Sequence, residues 1–209
     1  MTLARRGLLA LGLAPLLLPQ AAQAGAQLEE PLADAVRSAL AKAVANAAPP
    51  KPQFDSTAQR IAFLRWLGEA SERLKRFEAG HQTRVEFLET LWYESKRAGL
   101  EPSLVLGLVQ VESGFRKFVV SSAGARGYMQ VMPFWARLIG DGDASRLFHL
   151  QTNLRFGCVI LRHYVDVERG DLFLALGRYN GSRGRAEYPN AVFAARRRWE
   201  FKPDDAVRA

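Results

Sequence analysis

The sequence predicts an all-α protein, and three observations carry that reading. Apolar residues return every three to four positions in one segment after another. The strict alternation of a strand is nearly absent, so at most a small hairpin is expected near Val119–Gln130. Ser, Asp, Pro and Gly fall where helices begin and end. The composition, 48% hydrophobic and 24% charged over 209 residues, is that of an ordinary globular chain with room for one domain and an extension.

Residues 1–24 read as a secretory signal peptide. Arg5 and Arg6 precede a short apolar run, Gly7–Leu18, and Ala22-Gln23-Ala24 sets small residues at a cleavage spacing. The run is too short to span a bilayer comfortably, and cleavage is expected after Ala24, with Ala26 as the second choice. The two arginines also admit a twin-arginine export signal. No Cys lies near the cleavage site, so no lipid anchor on an N-terminal Cys is expected. No second apolar stretch is long enough to span, and the expected compartment is the periplasm. Loss of Arg5 and Arg6 lowers the formal net charge from +8, by two, to +6. That surplus suits anionic partners such as acidic cell-wall polymer or anionic lipid, and export makes nucleic acid the least expected of them.

Leu28–Ala48 is Ala-rich and helix-prone, and Ala48-Pro49-Pro50-Lys51-Pro52 breaks it as a stiff linker. Residues 25–80 are therefore read as an N-terminal helical extension, a tether or a loosely held helix in its first part. From Ser56, the residues Ile61, Leu64, Trp66, Leu67, Leu74 and Phe77 give an amphipathic helix ending near Gly80. Thr83 and Glu86 have capping-box spacing and open a helix that turns Val85, Leu88, Leu91 and Trp92 inward and stops at Gly99. Pro102 suits the first turn of the next helix.

That helix is the chemical centre of the chain. Leu104, Leu108 and Val111 share one face with Val105 and Val109 beside them, and the run delivers Glu112 onto Gly114, a left-handed cap. A carboxyl half out of an apolar wall at a helix C-terminus resists ionisation, through desolvation and through the negative end of the helix dipole. Such a setting suits a general acid, for which a pKa of roughly 6 has a precedent in lysozyme. The alternative at this point is a surface glutamate at a helix end.

Beyond Gln130, Pro133 opens a short helix that ends at Gly140, and Asp141-Gly142-Asp143 lacks the remaining ligands of a calcium loop and reads as a turn. A long helix, Thr152–Glu168, lines up Leu154, Cys158, Leu161 and Val165. Gly170-Asp171 breaks and recaps it, Leu172–Tyr179 follows, and Pro189 opens a last helix, Asn190–Trp199. Residues 81–200 form the expected catalytic domain and residues 201–209 a polar tail. Cys158, the single cysteine, reads as core packing. His81, His149 and His163 are scattered, so no metal site and no cofactor are expected.

Four pieces stand together: Glu112-Ser113-Gly114-Phe115, Ser121 through Gly127, Met129-Gln130-Val131-Met132-Pro133 and Tyr179-Asn180-Gly181. With Asn153 and Gly157 on the long helix, they resemble the soluble lytic transglycosylases, a family with a goose-type-lysozyme-like fold that cleaves peptidoglycan glycan strands. The resemblance runs over Thr83–Trp199. It implies a lysozyme-like helical domain in which Glu112 is the single catalytic acid and base. It implies that Ser121 bonds the substrate N-acetyl group, that Met129 and Gln130 line the groove, and that Tyr179, with Asn180 beside it, reaches the carboxyl or the reacting sugar. Tyr188 matches, by spacing, a second family tyrosine. The chain departs from the family pattern in having Tyr128 for Leu, Arg178 for Ala, and Gly181-Ser182 for Ala-Gly. Plainer readings stand beside these: Ser121 as loop chemistry, Gln130 as a buried amide holding the loop, Tyr179 as core, and Met129 as packing.

The implied reaction breaks the MurNAc–GlcNAc β-1,4 bond without water and leaves a 1,6-anhydro sugar. Hydrolysis by two carboxylates needs a second acid within about 5–10 Å of the first. No acidic residue lies between Glu112 and Asp141, while Asp141, Asp143, Glu168, Asp171 and Glu187 stay open as partners through folding. The alternatives are a muramidase of the same fold and a non-catalytic glycan-binding module of envelope assembly. The expected partner is the peptidoglycan glycan strand; partners in an envelope machine are unspecified.

Overall fold

The structure is a computed structural model describing residues 27, 29–45 and 52–201. The leader and its cleavage site, most of the proline break and residues 202–209 lie outside the described residues. Eight α-helices are present among the described residues, with no strand, as the periodicity predicts. Two isolated bridges, Val120 with Arg126 and Arg126 with Val131, stand where a small hairpin was expected.

The fourth helix, α4 (Pro102–Glu112), is the axis. Leu104, Val105, Leu106, Leu108 and Val109 are all buried, because a helix apolar on nearly every face is stable only when other elements surround it. α8 (Glu187–Arg197) packs along it. Gly107 permits the approach: a Cβ there would stand 2.7 Å from the backbone nitrogen of Arg196. α3 (His81–Arg97) packs on α4 and on α6 (Leu150–Val167), and α7 (Leu172–Asn180) joins α6 to α8.

α2 (Thr57–Leu74) is capped by Ser56, whose hydroxyl accepts from the Gln59 amide, and it ends well short of Gly80. Its inward face is Phe63, Trp66, Ala70, Ser71 and Leu74, while Ile61 and Leu64 point outward at 45% and 52% exposure. The aromatic residues decide the rotation, since Phe63 packs against Phe54, Trp66 and Trp92. The Thr83–Glu86 capping box does not form. α3 starts two residues earlier at His81, and Arg84 instead holds the carbonyls of Glu78 and Ala79.

α1 (Asp34–Ala45) packs against α5 (Pro133–Ile139) and α6. Its C-terminal carbonyls, unsatisfied within the helix, are taken by two arginines: Arg97 bonds the Ala43 carbonyl and Arg155 Nη1 that of Val44 at 3.4 Å. Both arginines pair with Glu94, which is buried.

Candidate active site

Glu112 is the last residue of α4, and the chain reverses immediately after it. Gly114 and Phe115 both adopt left-handed backbone angles, φ 56° and 63°. Phe115 tolerates that conformation because its ring is locked among Phe77, Phe87 and Trp199. The Glu112 side chain is 5% exposed. Tyr188, in the first turn of α8, donates a hydrogen bond of 2.5 Å to Glu112 Oε1. Oε2 is buried and has no hydrogen-bond partner among the described residues. Burial pushes the carboxyl pKa up to about 8, with the Tyr188 hydrogen bond pulling the other way. Burial, not a neighbouring carboxylate, is what keeps the proton on Glu112 near neutral pH.

The five acids left open by the sequence are engaged elsewhere or face solvent. Asp141 pairs with Arg146, Asp143 caps Ser145, and Glu168 is held by Arg178 and Arg183. Asp171 caps α7 at the Leu174 amide, and Glu187 is exposed.

The loop after α4 is held by buried side chains. Gln130 is buried at φ 47°, and its Nε2 donates to the carbonyls of Gly127 at 2.9 Å and Val119 at 3.1 Å. Its role here is the plainer one, a buried amide bracing the loop. Met129 is buried against Gly157, where a Cβ would stand 2.3 Å from its Sδ, so it packs on α6. Tyr179 is fully buried and spends its hydroxyl on the Met129 carbonyl at 2.7 Å. It does not bond the carboxyl; Tyr188 does. Burial first, and the Glu112 charge next, hold the proton of Tyr179 well above its ordinary range. Ser121 accepts from the Ala125 amide at 3.1 Å in the loop and is half-buried. Asn180 bonds Ser182 through Nδ2 at 3.1 Å and leaves a buried Oδ1 unpartnered among the described residues. Tyr128 turns toward Phe87, ring centroids 4.9 Å apart. Cys158 is buried, and burial pushes its thiol pKa far up, as expected of a packing residue.

Two residues given no site role from the sequence hold this loop in place. Asn153 is fully buried on α6 and makes three bonds: its Oδ1 accepts from the Met129 amide at 2.8 Å, and its Nδ2 donates to the carbonyls of Leu147 at 2.7 Å and Arg126 at 2.9 Å. Ser113 donates to the Tyr128 carbonyl at 2.8 Å. The signal for Asn153 was present in the four-residue spacing from Asn153 to Gly157, one helical turn that puts a polar bracket and a gap on the same face. The arrangement offers one protonated carboxyl, oriented by a phenol and framed by a braced loop. Among the described residues no group of His, Cys, Asp and Glu is placed to hold a metal ion.

A family model described as "Transglycosylase SLT domain" matches residues 90–201. A transglycosylase of Enterobacteria phage PRD1 is 34% identical over 104 residues, 50% of this chain and 38% of that protein. Membrane-bound lytic murein transglycosylase C of Actinobacillus pleuropneumoniae serotype 5b (strain L20) is 39% identical over 93 residues, 40% of this chain and 26% of that protein. The chain thus spans well under half the length of these relatives. Among solved structures, an inactive mutant of lytic transglycosylase Slt from Pseudomonas aeruginosa is 22% identical, with a TM-score of 0.43, covering 67% of this chain and 27% of that one.

Proposed function

The chain belongs to the transglycosylase SLT family, and from that premise we propose that it is a lytic transglycosylase that cleaves the MurNAc–GlcNAc β-1,4 bond of peptidoglycan without water. Protonated Glu112 gives its proton to the bridging oxygen as the C1–O4 bond breaks. The acetamido oxygen of the same sugar supports the developing positive charge at C1, in the place a second carboxylate takes in hydrolases. Glu112, now a carboxylate, takes the proton of the C6 hydroxyl, and O6 closes on C1 to leave a 1,6-anhydro-MurNAc end. The acid is regenerated and no water is consumed.

The observation that carries this reading is the buried, protonated carboxyl of Glu112, with the five downstream acids that the sequence left open committed to other partners or to solvent. Tyr188 supports it by orienting one oxygen and leaving the other free. The leader expected in residues 1–24 would deliver the enzyme to the periplasm, where this substrate lies; no helix among the described residues is long and apolar enough to cross a membrane. Mass spectrometry of purified sacculi digested with the protein tests the reaction. Anhydro-ended muropeptides, one water lighter than their reducing counterparts, are expected. Reducing ends instead would make it a muramidase, and intact sacculi a binding module.

A further inference from the structure

The residues assigned to the sugar are covered. Met129, Gln130 and Tyr179 are fully buried, Asn180 and Tyr188 nearly so, and only Ser121 keeps appreciable exposure. The segment leading into α1, residues 27 and 29–33, lies on α7, which carries Tyr179 and Asn180, and on α5, which begins three residues after Gln130. Gln27 is buried, and its Oε1 accepts a 2.8 Å hydrogen bond from Trp135 Nε1 in the first turn of α5. Its Nε2 has no well-formed partner among the described residues, yet the side chain borders the Tyr179 hydroxyl, which also feels the Glu112 charge. Glu30 accepts two bonds, at 2.8 and 3.1 Å, from Arg178 Nη1, one residue before Tyr179. Glu29 pairs with Arg137 on α5 at 3.5 Å. The segment is therefore stitched to α5 on one side and α7 on the other.

A glutamine side chain ends in a carbonyl beside an N–H, the same pair of groups that an N-acetylated sugar presents in its acetamido substituent. Resting on the reading that this site binds such a glycan, we propose that the segment is a strap competing with the substrate, with the Gln27 carboxamide seated at Trp135 where a sugar acetamido group binds. The strap must lift for the glycan to enter. Its fastenings suit that task. The Glu29–Arg137 and Glu30–Arg178 pairs are partly in solvent, where such pairs hold weakly and salt screens them. α1 is fastened differently, through the Glu94–Arg155 pair, which is nearly dry, so the helix stays docked while the strap opens. A strap open about a tenth to a third of the time raises the apparent dissociation constant about three- to tenfold.

Calorimetric titration with the N-acetylglucosamine trimer decides the matter without requiring turnover. Gln27→Ala and the double variant Glu29→Ala/Glu30→Ala are expected to bind the trimer about three- to tenfold more tightly than the unaltered chain, with the gap shrinking as salt rises. Unchanged or weaker binding in either variant overturns the proposal, as does absence of binding by all three proteins. A lowered melting temperature with unchanged affinity would make the segment a structural brace only, and overturns it too. Failure of the unaltered chain to cut sacculi would count against the proposed reaction alone, because the titration reads the strap independently.

Discussion

The phenol of Tyr188 donates to one oxygen of the Glu112 carboxyl at 2.5 Å, from a helix 76 positions further along the chain, and the other oxygen has no hydrogen-bond partner among the described residues. One oxygen is thus fixed and the other is left for the proton exchange that the proposed reaction requires.

Glu112→Gln is expected to abolish cleavage of sacculi while retaining binding to them. The same variant reports on stability. The folded pKa of about 8 lies above the unfolded value near 4.5, so between these two pH values the native state holds a proton that the unfolded chain has released. Stability from this group is therefore full below about pH 4.5, declines as pH rises, and levels off above about pH 8, a loss of several kcal/mol at about 1.4 kcal/mol per unit. Denaturant melts from pH 5 to 9 should show this slope in the unaltered protein and a flatter profile in Glu112→Gln. Equal slopes would mean the carboxyl is not held neutral.

Activity should fall on the alkaline side as Glu112 ionises, with a limb near pH 8. Tyr188→Phe removes the hydrogen bond that favours the carboxylate, so the limb should move to higher pH while kcat drops about tenfold or more from lost orientation. A limb that stays put or moves down would show that the phenol does not act on this carboxyl.

Asn153→Ala strips three bonds from a fully buried amide and leaves the Met129 amide without its partner. A cost of about 2–4 kcal/mol is expected, together with faster hydrogen exchange over residues 126–131. Unchanged exchange there would relieve Asn153 of its bracing role.

Gly107→Ala places a methyl against the backbone of Arg196 and pushes α8 away from α4. The expected destabilisation is about 1–3 kcal/mol, and because Tyr188 rides on α8, the alkaline limb should shift in the same direction as in Tyr188→Phe. Normal stability with a normal limb would show that the two helices have slack at this seam.

Glu94→Gln leaves the Arg155 guanidinium buried without its counter-charge, at a cost of about 3–5 kcal/mol. Chemical denaturation measures it, and a change under about 1 kcal/mol would show that the arginines are held by the α1 carbonyls alone.

Much of this architecture was legible in advance, for local reasons. The apolar run into Glu112, Pro102 at a helix start and Gly114 at a left-handed turn are short-range signals, and the helix they predict is present. The raised pKa of Glu112 followed from the same stretch, because the wall that desolvates it is its own helix and what packs on that helix. What periodicity did not reveal depends on distant partners. The rotation of α2 is set by Trp92 on the next helix, and Arg84 displaces the capping box by reaching back to Glu78. Tyr179 and Tyr188 are alike in sequence terms; only the packing of α7 and α8 sends one hydroxyl to the Met129 carbonyl and the other to the carboxyl. Gln27 lies 108 positions from Trp135, and no local pattern announces that bond.

The loop between α4 and α5 is braced by buried groups, among them Asn153, Gly157, Ser113 and the amide of Gln130. Its outer side chains are less constrained: Phe118 and Val120 stand 73% and 56% exposed, with Lys117 over the Phe118 ring and Phe148 beside it. Scaffold and rim are consequently separable here. On the proposed reading, side chains on the rim can be exchanged to retune which glycan is preferred while the buried Glu112–Tyr188 pair keeps its setting.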